Sequence, residues 1–262
     1  MSHELTLQHL TVGYGKKVIL SDINQTLKAG QMVCLLGANG AGKSTILRTL
    51  AGFQPPISGN IFLEGRDLHS LTLSERSRAV SVVLTERVEV PYMKVVDLVG
   101  LGRSPYTGFF GTLGREDKAA VHEAIQMVGI GNLAERTVDT LSDGERQKAL
   151  LAKALAQQTP VILLDEPTAF LDFHAKAAIL RLMLHLAHET NKTILLSTHD
   201  VEMAIQLSDR LWIVQEGIIT AGTADTLTQS GILSRFLQAD SITFNANDKT
   251  LKIDTPSKSP LA

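Results

Sequence analysis

The sequence predicts an α/β fold built on a parallel sheet, and three observations predict it. An apolar strand, Met32 to Leu36, runs straight into a glycine-rich turn and a helix in "LLGANGAGKSTIL". A second apolar strand, in "PVILLDEP", ends on two adjacent carboxylates. After it, "TILLSTHD" and "RLWIVQEGIITAG" alternate with helical stretches, which implies parallel strands joined by crossover helices.

Taken in order, "ELTLQHLTVGYG" and "VILSDINQTLKAGQMVCLLG" alternate apolar and polar residues between turns such as Lys28-Ala29-Gly30. They read as an antiparallel N-terminal β-subdomain that feeds the buried strand. The helix after the glycine turn starts at about Gly42 and ends near Gly52, before "QPPISGN" leads into a hairpin, "IFLEGRDL". Residues 1–84 thus mix β-structure with one helix. From Val95 to Ala156 the apolar spacing changes to about 3.6 residues in "VVDLVGLG", "REDKAAVHEAIQMVGI" and "GERQKALLAKALAQ", which marks an inserted helical subdomain. "FHAKAAILRLMLHLAHET" and "VEMAIQLSD" are the later crossover helices, and "SITFNANDKTLKID" is a hairpin turning at Asn245 to Asp248 before an end expected to fray. The expected plan is one domain over 1–240, with 1–84 and 157–240 as its α/β core and 85–156 as the helical subdomain, followed by a hairpin and tail over 241–262.

A chain of 262 residues buries enough surface for an enzyme core. Its 25 Lys and Arg against 27 Asp and Glu, without long blocks of one sign, lack the broad basic footprint of a nucleic-acid binder. Cys34, the only cysteine, sits in an apolar run and reads as a buried hydrophobe. "MSHELTLQHL" has no signal-peptide pattern and no run of about 18 apolar residues occurs, so a cytoplasmic chain that does not span the bilayer is expected.

Gly37-Ala38-Asn39-Gly40-Ala41-Gly42-Lys43-Ser44 matches G-x-x-x-x-G-K-[ST] in the strand-turn-helix context that gives this pattern meaning. Glycines let backbone N–H groups curl around a β-phosphate, the helix N-terminus adds partial positive charge, Lys43 reaches the β- and γ-phosphates, and Ser44 ligates Mg²⁺. In "VILLDEP", Asp165 is expected to hold Mg²⁺ directly or through water. Glu166, pointing the other way along the strand, is expected to orient and deprotonate the attacking water. The competing reading is a carboxylate pair that caps the following turn.

With these motifs in order, the chain resembles the ATP-binding cassette (ABC) family over nearly its whole length, a P-loop NTPase core carrying a helical insertion. Besides the two nucleotide motifs, "LSDGERQ" is similar to the family's LSGGQ signature, "AFLD" to its D-loop, and His199 in "LLSTHD" to its switch histidine. The resemblance implies ATP and Mg²⁺ as cofactors. It places Tyr14 on adenine, Gly37, Asn39, Gly40, Ala41, Gly42, Lys43, Ser44 and Thr45 on the phosphates, and His199 as a γ-phosphate sensor working with Glu166. It further implies a head-to-tail homodimer in which Ser142, Asp143, Gly144, Glu145 and Asp172 complete the partner's site.

Two positions depart from the family pattern. Asp143 replaces a glycine of the signature and puts a carboxylate near an anion site. Thr85 stands where the family carries a glutamine that touches Mg²⁺ and water; either a water bridges Thr85 to the metal, or Glu86 reaches in its place, or the segment is a plain hinge. Ser142-x-x-Glu145 also spells a capping box, an ordinary helix start that one serine can combine with nucleotide contact.

The helical region, its G-R-S-P-Y turn above all, resembles cassettes that drive import of iron chelates (siderophores), haem or cobalamin. This implies two membrane permease subunits received around residues 86–110, a substrate-binding protein acting indirectly outside, and a peripheral position on the cytoplasmic face of the inner membrane. No coiled coil separates the phosphate loop from Asp165, as a chromosome or DNA-repair ATPase would require, and one cassette rather than two argues against a translation factor. The Asp165-Glu166 pair disfavours a non-hydrolysing regulator. Another ABC importer, for amino acids for instance, or an exporter is the remaining alternative.

Overall fold

The opening alternation folds into β1 (Leu5–Tyr14) and β2 (Lys17–Leu27), an antiparallel pair. The computed structural model describes residues 4–84, 90–108, 110–169, 171–237, 242–245 and 250–253. In β1 the apolar set shifts phase between Leu7 and Leu10, where the register slips and His9 takes a φ of 47°. This bulge keeps Leu5, Leu7, Leu10 and Val12 all buried.

β3 (Met32–Gly37) leaves this sheet and is buried along its whole length. α1 (Lys43–Leu50) follows, then β4 (Ser58–Leu63), which returns to pair with β1, and β5 (Arg66–Asp67), the predicted hairpin partner of β4. α2 (Leu73–Ala79) and β6 (Val80–Val83) complete this part, so it carries a second helix beyond the one the sequence predicts. The reason is physical: no residue of α2 is buried, so it has no apolar stripe for periodicity to reveal. Its start is instead a capping box between Thr72 and Glu75. The Thr72 backbone N–H and the Arg66 guanidinium hold Glu75 down at about 2 from an ordinary 4.5. A depressed carboxylate stabilises above its unfolded value, so the contribution of this helix start is complete above about 4.5 and is lost as pH falls toward about 2. A carbon-13 NMR titration of the Glu75 carboxyl checks this, and an unshifted titration would remove the box.

α3 (Val95–Gly100), α4 (Arg115–Met127) and α5 (Asp143–Ala156) pack together as the predicted helical region. β7 (Val161–Leu164), α6 (Phe173–Thr190), β8 (Thr193–Ser197), α7 (Val201–Leu207), β9 (Arg210–Gln215) and β10 (Ile218–Gly222) restore the strand-helix alternation. α8 (Ala224–Gln229) and α9 (Ile232–Leu237) precede the predicted terminal hairpin of β11 (Ile242–Asn245) and β12 (Thr250–Ile253). Besides this hairpin, the sheets among the described residues are an antiparallel one in the order β2-β1-β4-β5 and a central one in the order β10-β9-β3-β8-β7-β6. The central sheet is parallel from β9 through β6, with β10 antiparallel at its edge.

The two faces of the central sheet divide the core by the strand period. Met32, Cys34 and Leu36 join the cluster under the helices, whereas Val33 and Leu35 join the one shared with α1 and the antiparallel sheet. Cys34 lies fully buried as expected, and that burial pushes its thiol up to about 12.

The G-R-S-P-Y turn fastens the helical region to the core. Arg103, 5% exposed, donates from Nε to Asp117 at 2.9 Å and from one terminal nitrogen to the Ala156 carbonyl at 2.8 Å and Gln158 at 2.9 Å. Its guanidinium lies 4.0 Å from the Tyr106 ring centroid, and the Tyr106 hydroxyl donates to the Gln157 carbonyl at 3.0 Å. Arg78, from α2, donates twice to the Pro105 carbonyl, at 3.0 and 2.8 Å. Gly102 lets this turn approach α5, since a Cβ there would lie 2.3 Å from the Lys153 carbonyl oxygen.

Candidate active site

The phosphate-loop sequence lies where β3 meets α1. Gly42 takes a φ of 108°, and a Cβ there would strike Ile19 Cγ2 at 2.6 Å, so only glycine turns the chain while β2 closes beside it. Gly37 is equally enclosed, with Val214 at 3.0 Å from its would-be Cβ, and the Ala41 N–H closes the loop onto Ala38 at 3.2 Å. Lys43 curls back over the loop, its Nζ donating to the carbonyls of Gly37 at 2.8 Å and Ala38 at 3.1 Å. Burial lowers its pKa, and the charges of Glu166 and then Asp165 oppose that shift. A phosphate chain would give this buried ammonium charged acceptors in place of neutral carbonyls.

Loop and helix start form one wall of a cleft of about 320 Å³. Tyr14, Asn39, Gly40, Gly42, Lys43, Ser44, Thr45 and Glu166 line it, together with Lys17 and Ile19, which no motif singles out. Tyr14 is 53% exposed at the rim, its hydroxyl 3.4 Å from Thr45 Oγ1. An open ring over a phosphate-sized loop suits a planar base.

On the other side of the cleft β7 stops at Leu164, and Glu166 takes a φ of 51°. The two carboxylates therefore diverge through a left-handed residue rather than through the pleat of a strand. Ser197, the buried last residue of β8, holds the Asp165 carboxylate and the Glu166 backbone: its hydroxyl donates to Asp165 Oδ1 at 2.7 Å and accepts the Glu166 N–H at 2.9 Å. His199 Nε2 meets Glu166 Oε1 at 2.5 Å. Ser197 was missed in the sequence because its role depends on the pairing of β7 with β8, although its place two residues before His199 is a usable signal. Ser197→Ala leaves a buried carboxylate oxygen and an N–H without this partner. It is expected to lower the unfolding free energy by about 1–3 kcal/mol in a denaturant titration and to reduce ATP turnover; full stability and turnover would contradict this role.

The exposed Ser44 hydroxyl and the buried Asp165 carboxylate are hard oxygen donors of the type Mg²⁺ takes. Among the described residues no cluster of three or more His, Cys, Asp or Glu could cage a metal. That donor set fits an ion held by one or two protein oxygens, water and phosphate. Thr85 and Glu86 lie outside the described residues.

Ser142, Asp143, Gly144, Glu145 and Asp172 do not line this cleft. The first four open α5 and Asp172 caps α6 through the Ala175 N–H at 2.8 Å. The two stretches are neighbours, since a Cβ on Gly144 would touch Leu171 at 3.5 Å. The capping-box reading of α5 holds: Ser142 Oγ donates to Glu145 at 2.9 Å and accepts its N–H at 3.3 Å. The Ser142 N–H, the larger influence, and the Ser142 hydroxyl hold the Glu145 carboxyl below its usual range.

Comparison with known proteins places the chain in a family. The family model described as ABC transporter matches residues 20–169. The chain is 35% identical over 240 residues to the iron(3+)-hydroxamate import ATP-binding protein FhuC of Bacillus subtilis, covering 91% of this chain and 89% of that protein. It is 34% identical over 229 residues to the ferric enterobactin transport ATP-binding protein FepC of Escherichia coli, covering 87% and 84%. Among solved structures, an ABC transporter assigned to the metal-chelate type, in an inward-facing conformation, matches with a TM-score of 0.78 and 27% identity over 89% of this chain and 88% of that one. Fold, phosphate loop and family match thus converge, and the chain belongs to the ABC transporter family as an ATP-binding cassette, an ATPase.

Proposed function

We propose that this chain hydrolyses ATP to power an importer of an iron chelate (siderophore), haem or cobalamin. One observation supports the chemistry above the others: Glu166, on the wall of the phosphate-loop cleft, is held by His199 at 2.5 Å. In this reading Lys43 and the N–H groups at the start of α1 bind the phosphates, Tyr14 stacks on the base, and Glu166 takes the proton of the attacking water. His199 orients Glu166 and contacts the γ-phosphate. Ser44 and Asp165 would hold Mg²⁺, which neutralises the phosphate charge.

Two copies pair head to tail, so that Ser142, Gly144 and neighbouring Asp143, Glu145 and Asp172 of one face the nucleotide of the other. For Ser142 this requires its O–H to leave Glu145 for a phosphate oxygen. Difference in dimer affinity between nucleotide states supplies the transport work. Among the described residues no helix is long and apolar enough to cross a membrane, consistent with two permease subunits forming the path and this subunit sitting on their cytoplasmic side.

The cargo class rests on the iron-chelate relatives and on the turn at Gly102–Tyr106. Uptake of labelled ferric chelate, haem and cobalamin, in cells carrying the parent chain or Glu166→Gln as sole copy, tests it. Loss of one of these uptakes with amino-acid uptake retained is expected. Unchanged uptake of all three would contradict the cargo class and leave an amino-acid importer or an exporter.

A further inference from the structure

A second cleft, of about 460 Å³, opens at the opposite end of β3 from the phosphate loop, between the antiparallel sheet and the first residue of β9. Leu7 forms its floor, and Asn24, Thr26, Lys28, Gln31 and Arg210 stand around it. Among the described residues neither the Lys28 nor the Arg210 side chain has a hydrogen-bond or carboxylate partner. Two acids beside these residues are already engaged. Asp22 is held by His9 Nδ1 and the Asn24 amide, each at 2.8 Å. Asp209 accepts the Met32 N–H at 2.8 Å and meets His188 at 2.9 Å. Gln31 Oε1, buried in the same wall, is an acceptor without a donor. A half-buried guanidinium fork beside an ammonium asks for a compact oxyanion, and the orphaned carbonyl oxygen asks that this anion also carry an O–H.

We infer that this cleft is a second anion site, separate from the nucleotide cleft, that takes a phosphate-class oxyanion bearing a hydroxyl. Monohydrogen phosphate meets the requirement by itself, with charged oxygens for Lys28 and Arg210 and one proton for Gln31. A phosphate ester of a polyol meets it with a carbon-borne hydroxyl. Sulfate has the charge and the shape but no proton. Occupancy would tie β2, β3 and β9 together, since Arg210 pairs with Val33 in the sheet register and Gln31 directly precedes β3.

The test is a titration followed in proton–nitrogen NMR spectra through the Arg210 Nε–H and Gln31 amide signals. The nucleotide cleft is filled with Mg²⁺ and a non-hydrolysable ATP analogue, so that the phosphate loop cannot answer for this site. Phosphate is expected to shift both signals with saturation in the millimolar range, and sulfate to bind about tenfold more weakly for want of one hydrogen bond. Glycerol phosphate in place of phosphate identifies the ester as occupant if it binds more tightly, and the free ion if it does not. Arg210→Gln should abolish the saturable response, and Lys28→Gln, on the exposed rim where folding is not at risk, should weaken it. Equal responses to phosphate, sulfate and chloride, no response at all, or a saturable response that survives both substitutions would overturn the site.

Discussion

Glu166→Gln is expected to lower ATP turnover by about a hundredfold or more while leaving nucleotide affinity near that of the parent. The substitution keeps an amide oxygen for His199 and removes only the ability to accept a proton. His199→Ala should also cut turnover, because it releases the side chain of a residue whose backbone is already fixed at a φ of 51°. The double variant should lose less than the product of the two single losses, since groups that act partly as one unit are not additive. Turnover and nucleotide binding measured on all three decide the matter. Losses that multiply would mean that the 2.5 Å contact is incidental to catalysis.

Arg103→Ala carries the largest expected effect on stability, a loss of about 3 kcal/mol, or a melting point lower by about 8 °C. A buried guanidinium that bridges a carboxylate, a main-chain carbonyl and an amide, and that covers the Tyr106 ring, leaves several partners unmet when removed. Arg103→Lys should recover little, because one ammonium cannot span the fork or stack on the ring. Calorimetric melting of the two variants beside the parent checks this, and a lysine variant as stable as the parent would reduce the turn to a simple charge contact. Since Ala156 ends α5, a loosened turn should also blur the position of Ser142 at the other end of that helix.

Much of this was legible in the sequence where a local pattern carried the signal. The phosphate loop, β7, α6 and the terminal hairpin each follow from residues a few positions apart, and the buried run of β3 reads directly as a strand covered on both faces. What escaped depends on distance along the chain. Arg103 meets Ala156 and Gln158 across 53 and 55 residues, and Ser197 reaches Asp165 across 32, separations that no period encodes. α2 escaped for the opposite reason, since it is local but buries nothing. The box at Ser142 and Glu145 was legible, yet its neighbour Leu171 on the way to Asp172 shows only in three dimensions how the signature and D-loop stretches come to one face.

The start of α5 is expected to serve a neighbouring molecule's nucleotide. Light scattering of Glu166→Gln with and without Mg²⁺ and ATP tests it most directly, because slow turnover preserves the nucleotide-bound state. A monomer is expected that becomes a dimer only when both are present, and that stays monomeric when Ser142→Ala is added. A dimer indifferent to nucleotide, or one unaffected by Ser142→Ala, would contradict it.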